Sequence, residues 1–211
     1  MLHPELNTIF NSKELVSNAD FGIIYGIISF YRQIGINPFS QFQGKKWIDL
    51  GCGYPDNTDA GYSNQDLYEP DLIRTVGKII GKQNAIGIDI GENSDSSYNH
   101  ITHILTPEIT SSELRREIEM QSNIALENGD AWIISAKGLV GIRTSRRLVL
   151  SGINPKDLQS SIQNWAADLL ADMGLLVINF TYFLKKDGEL IDLGNCFQAG
   201  TNFKNLLNKT S

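Results

Sequence analysis

Lys45-Lys46-Trp47-Ile48-Asp49-Leu50-Gly51-Cys52-Gly53 is the stretch whose reading decides the fold. Trp47, Ile48 and Leu50 give it the apolar, partly β-branched character of a buried strand. Gly51 and Gly53 then stop the strand, as glycine does where a chain turns tightly or lets a ligand approach its backbone. Asp49 comes just before that turn, at the carboxyl end of the strand, where open α/β sheets bind their ligands. The pattern returns in Ala85-Ile86-Gly87-Ile88-Asp89-Ile90-Gly91, again a short apolar run closed by an acidic residue and glycine. Between the two, Pro70 to Ile80 reads as a helix with Leu72, Ile73, Val76, Ile79 and Ile80 on its inner side. Pro70 suits the first turn and Gly81 the exit. Residues 46 to 91 thus form a β-α-β unit, a crossover that is right-handed in nearly every sheet.

On the N-terminal side, Leu15, Val16, Ala19, Ile23, Ile27, Phe30 and Ile34 recur at helical spacing, which predicts a helix from Lys13 to about Ile34. Asn11 or Ser12 would cap it, and Gly35 with Pro38 would stop it. Residues 1 to 44 are expected to be a helical lead-in packed on the core, and residues 45 to 211 the α/β domain, one domain overall. On the C-terminal side, His100 to Leu105 is a third strand, ending at Thr106-Pro107. Thr110 or Ser111 caps a helix running to about Asn128, with Glu113 near its first turn. Ala131 to Ser135 is a fourth strand, and Thr144 to Ser151 a short helix. Asn154-Pro155 opens a longer helix with Leu158, Ile162, Trp165, Ala166, Leu169 and Leu170 toward the core, ended by Gly174. Leu175 to Phe180 is a fifth strand. Lys185-Lys186-Asp187-Gly188 is a hairpin signal that joins Thr181 to Leu184 with Glu189 through Leu193 and gives the sheet one antiparallel member. Strands alternating with helices imply a three-layer α/β sandwich with a mostly parallel sheet.

Composition narrows the class. With 41% hydrophobic and 20% charged residues over 211 positions, the chain can bury a core and is not a disordered tract. The formal net charge of -6 and the absence of a long basic run disfavour non-specific binding to nucleic acid, which needs many phosphate contacts. The two cysteines, Cys52 and Cys196, make no disulfide framework and suit a cytoplasmic setting. His3, His100 and His103 lack the companions of a zinc set, so no metal is expected. The N-terminus shows no signal-peptide pattern, and Phe21 to Ile36 is too interrupted to span a membrane. Self-association as a homo-oligomer is compatible with all of this.

Trp47-Ile48-Asp49-Leu50-Gly51-Cys52-Gly53 resembles the first motif of class I S-adenosylmethionine-dependent methyltransferases, a Rossmann-like family. The pattern is two apolar residues, an acid, any residue, Gly, any residue, Gly. A further glycine usually follows two places on, where this chain has Pro55. Ile86-Gly87-Ile88-Asp89-Ile90 is similar to the family's acidic second-strand motif, and Asp172-Met173-Gly174-Leu175-Leu176-Val177-Ile178 to its turn into the fifth strand. The likeness covers residues 45 to 184. It implies S-adenosylmethionine as cofactor, held by Asp49, Gly51, Cys52, Gly53, Asp89, Ile90, Leu105, Thr106 and Ser135. In that reading the glycine bend brings backbone amides to the methionine end. Asp49 takes its ammonium, directly or by water, and Asp89 accepts from the ribose hydroxyls. Leu105 and Thr106 border the adenine, and Ser135 faces the sulfonium or the acceptor. Members usually have seven strands; only about 27 residues follow Leu184, so a truncated sheet is expected.

Residues 54 to 66 are rich in turn formers and longer than an ordinary βα loop. From this region Tyr54, Asp56, Asp59, Tyr62, Tyr68 and Glu69 are candidate substrate residues, with Lys137 and Arg143 opposite. Their mixed charge suits a small polar acceptor. The catalytic residues stay unassigned, because an activated sulfonium asks mainly for positioning and acceptor deprotonation. Ser135-Ala136-Lys137-Gly138 lacks the Asn/Asp-Pro-Pro-aromatic string of amino-methylating enzymes. A dinucleotide dehydrogenase fits less well, since Asp56 stands where G-x-G-x-x-G wants its third glycine. The alternative from another class is a methyltransferase-like domain that binds a partner or the cofactor without turnover.

Overall fold

The structure, a computed structural model, describes residues 18–36, 44–53, 71–137, 139, 149 and 151–195. Among these, seven strands form one sheet in the order β3-β2-β1-β4-β5-β6-β7. They are β1 (Lys46–Leu50), β2 (Ala85–Asp89), β3 (Asn99–Thr102), β4 (Ala131–Ala136), β5 (Leu170–Ile178), β6 (Thr181–Lys186) and β7 (Glu189–Asn195). The first five run parallel, β6 pairs antiparallel to β5, and β7 pairs antiparallel to β6. The helices are α1 (Asn18–Gln33), α2 (Asp71–Ile80), α3 (Ser111–Ser122) and α4 (Pro155–Leu169). No helix among the described residues is long and apolar enough to cross a membrane.

The three layers follow from the two-residue period of β1. Trp47 points to the side where Ile23, Ile27 and Tyr31 of α1 and Leu72, Ile73 and Val76 of α2 lie. Ile48 and Leu50 point to the other side, onto Leu114 and Ile118 of α3 and Leu158, Ile162 and Trp165 of α4. α1 is fastened to the sheet by polar contacts as well as by packing. The Tyr31 hydroxyl donates to Met173 O at 2.9 Å, Tyr182 donates to Ile23 O at 3.3 Å, and Tyr31 stacks on Trp132 with ring centroids 5.3 Å apart. The alternation breaks beside β1. Trp132 is an extra residue relative to β1, and opposite it β5 carries extra residues around Met173, whose φ is 66°. Trp132 and Ile133 consequently both face the α1 layer, as a bulge allows.

Several boundaries differ from the sequence expectation, each for a local reason. The sheet is not truncated: it reaches seven strands because the last two are joined by a two-residue turn, which needs no crossover helix. Asp187 (φ 53°) and Gly188 (φ 86°) both lie in the left-handed region that such a hairpin turn requires. Two strands are therefore added, of which only β6 runs against the other six, the one antiparallel member expected. α3 stops at Ser122 rather than near Asn128, because Asn123 turns left-handed (φ 58°) and its N–H closes onto Glu119 O. Its start is as read: Thr110 and Glu113 form a reciprocal capping box.

β3 ends at Thr102, short of Leu105. α4 ends at Leu169, five residues before Gly174, so Leu170 is not helical. Leu170 is extended and pairs with Ala131, and the ammonium of Lys185 accepts the role of a cap by donating to Ala167 O and Leu170 O (2.7 Å to the latter). Asp172-Met173-Gly174 accordingly lies inside β5 as part of its bulge. The start of the N-terminal helix before Asn18 and most of the expected 144–151 helix lie outside the described residues.

Candidate functional site

The order of strands reverses between β1 and β4, so the carboxyl ends of these two strands flank a switch point, the place where open α/β sheets receive ligands. Asp49 and Ser135 are direct partners in the β1–β4 register there. They are two of three buried polar residues among the described ones, Asp49 at 2% exposure and Ser135 at 0%. The Ser135 hydroxyl donates to Asp49 Oδ1 at 2.6 Å and accepts from Trp47 Nε1 at 2.8 Å. An indole N–H only donates, so the hydroxyl proton is directed onward to the carboxylate. Ser135 is thus a buried link between Trp47 and Asp49, with β4 continuing to Ala136, and it does not stand open to a ligand.

The glycine bend follows. Gly51 (φ 69°) and Gly53 (φ 92°) take conformations that favour glycine. Leu139, from the segment after β4, rests on Gly51: a Cβ there would fall 3.1 Å from the leucine side chain. The bend amides already have acceptors. Gly51 N and Cys52 N donate to Ile88 O (2.8 and 3.2 Å), and Gly53 N donates to Asp89 Oδ2 (2.8 Å). The expected role of these amides at the charged end of a ligand therefore gives way to a role inside the fold, tying β1 to β2.

Asp89 is half-buried at the tip of β2, and its Oδ1 accepts from Ile90 N at 2.7 Å. Each carboxylate oxygen has a second acceptor site, so a neighbouring pair of hydroxyls can still be met. His103 N donates to Asp89 O at 2.8 Å, which brings the segment after β3 alongside. On these adjoining segments Ile90 and Ile104 are 59% and 62% exposed, unusual for large apolar side chains. Leu105, in contrast, is packed into the core on the α3 and α4 side. Thr106 is half-buried in a turn whose carbonyl accepts from Ile109 N. Sequence reasoning thus missed Ile104; its signal is an isoleucine one residue before the packed Leu105.

Cys52 lies beneath the bend with both carboxylates near it. Burial raises its thiol pKa well above the usual value, and the charges of Asp49 and Asp89 raise it further. The group is a packed thiol, not a nucleophile. His100 Nε2 donates to Gly91 O at 2.6 Å, leaving Nδ1 to face the Tyr98 hydroxyl at 3.3 Å and Cys52 Sγ at 4.0 Å. Burial likewise raises Tyr98, which accepts from Asn93. Lys137 is half-buried just after β4. Tyr54, Asp56, Asp59, Tyr62, Tyr68, Glu69 and Arg143 lie outside the described residues.

The structure therefore brings Asp49, Gly51, Cys52, Gly53, Asp89 and Ser135 to one edge of the sheet, with Ile90 beside them. It sends Leu105 into the core. Compared by sequence, the chain matches no protein-family model and no curated protein.

Proposed function

We propose that this chain binds S-adenosylmethionine at the carboxyl ends of β1 and β2 and transfers its methyl group to a small polar acceptor. One observation carries the reading: the Asp89 carboxylate, anchored by two backbone N–H groups at the tip of β2, next to exposed Ile90 and Ile104. A carboxylate held this way suits a vicinal diol, and the flanking isoleucines suit the faces of a flat base. The ribose and adenine of the cofactor combine those two features. The bound sulfonium would supply an already activated methyl group. The chain's own part would then be to orient donor and acceptor, keep water out and receive the acceptor's proton. Lys137 is the described candidate on the acceptor side.

The burial of Ser135 favours a second reading, a domain that holds the cofactor without turnover, since the residue expected to face the sulfonium or the acceptor is engaged inside the sheet. Binding and turnover separate the two. A ligand at 100 times its dissociation constant stabilises a protein by about 2.7 kcal/mol. Thermal melts with S-adenosylmethionine or S-adenosylhomocysteine should therefore move upward by several degrees, and melts with NAD should not. An upward shift with NAD alone would remove the proposal. Methyl transfer in an acceptor screen supports the enzyme, and ligand-dependent stabilisation with no transfer to any acceptor supports the binding domain.

A further inference from the structure

On the face of the sheet under α1 and α2 a buried polar chain runs from Trp47 through Ser135 to Asp49, reaching the switch point. Three apolar side chains of similar volume would pack in that place without the desolvation of a carboxylate. A buried charge is weak evidence for stability, so its presence calls for another use. Asp49 is 2% exposed, which leaves a bound ligand a very narrow approach to its carboxylate. In so confined a place the side-chain orientation decides which way each oxygen faces. Ser135 contributes to that orientation from β4, directing its proton to Oδ1, and Trp47 fixes the direction in which the hydroxyl points.

We infer that Ser135 and Trp47 are positioning residues for Asp49, aiming its carboxylate at the ammonium of the methionine portion of the bound cofactor. The inference rests on the proposed function and assigns Ser135 a part different from contact with the sulfonium. The ammonium meets Asp49 directly or through one water, and the relay holds the acceptor still. Nothing in this arrangement touches the adenine or the ribose, whose partners stand on β2 and the segment after β3.

The test compares two ligands by titration calorimetry. S-adenosylhomocysteine carries the ammonium; 5′-methylthioadenosine has the same adenine, ribose and thioether without it. Ser135→Ala should weaken S-adenosylhomocysteine by about tenfold, the usual worth of a hydrogen bond to a charged group, and leave methylthioadenosine nearly unchanged. Trp47→Phe keeps the hydroxyl and should show a smaller loss with the same selectivity. It also serves if Ser135→Ala does not fold. In the double variant the loss for S-adenosylhomocysteine should match that of Ser135→Ala alone, since the relay is already cut. Equal losses for both ligands would mean a purely structural role and overturn the inference while leaving the proposed function standing. Undiminished binding of S-adenosylhomocysteine by the folded variants would do the same. A wild-type protein that binds neither ligand overturns both.

Discussion

Cys52 stands between two carboxylates, and burial together with their charges keeps it a thiol. Because thiolate is the reactive form, the native chain should react slowly. With Cys196 replaced by serine, we expect Cys52 to be modified by an aromatic disulfide at pH 8 about 100-fold more slowly in buffer than in urea. Similar rates would show the thiol to be open and ionised. Gly87 has a related constraint, since a Cβ there would lie 2.7 Å from Tyr98 Cε2 and 2.9 Å from Cys52 Sγ. Gly87→Ala should cost about 1–3 kcal/mol by overpacking, read from the urea midpoint. An unchanged midpoint would mean that Tyr98 and Cys52 do not close on β2. At this scale the acidic tips were legible, because a strand ended by Asp and then Gly is a local pattern. The relay was not, since Trp47 and Ser135 meet across 88 positions and only the β1–β4 register brings them together. The engagement of the bend amides was hidden for the same reason, as their acceptors belong to β2.

Among the elements, the connection from β2 to β3 is seated on α2. Arg74 Nε pairs with Asp95 Oδ2 at 2.7 Å, and the Ser97 N–H and hydroxyl donate to Asp95 Oδ1 (2.8 Å from the N–H). Burial would raise the Asp95 pKa, but the Ser97 hydrogen bonds and the Arg74 guanidinium outweigh it, and the value falls below 3.8. A lowered folded pKa means that the stabilisation is complete above the unfolded value and is lost as pH falls through the folded one. Asp95→Asn should therefore destabilise the chain by about 1–2 kcal/mol at pH 7, with the difference from wild type shrinking below about pH 4. Urea midpoints at the two pH values check this; a difference that grows on acidification would contradict it.

Gly77 of α2 is the point of closest approach, where a Cβ would fall 2.0 Å from Ser97 O. An exposed helical Gly→Ala change gains up to about 1 kcal/mol. Here it should be destabilising, by about 3 kcal/mol, and a raised melting temperature would show that the connection is not seated on α2. Helical spacing and glycine or proline punctuation made the parallel half of the fold readable. The β5 bulge and the Lys185 cap of α4 were not, because each is decided by a tertiary partner, whereas α3 ends on a local signal, the left-handed Asn123, that the spacing of apolar residues does not carry.

At the scale of the whole molecule, the sheet order places β1 in the interior, with β2 and β3 on one flank and β4 to β7 on the other. The reversal at β1 and β4 opens one edge of the sheet, and the polar groups that the fold buries or anchors along it are Asp49, Ser135 and Asp89. In the proposed reading, the ligand's diol meets Asp89 and its ammonium meets Asp49 along this edge. Titration calorimetry of S-adenosylhomocysteine into the wild type and into a folded Asp89→Ala variant tests this most directly. The expected result is a one-to-one isotherm for the wild type in the micromolar range, about -8 kcal/mol, weakened at least about 30-fold in the variant, as loss of hydrogen bonds to a charged acceptor implies. No heat from the wild type at millimolar ligand, or equal affinity in the two proteins, would contradict it.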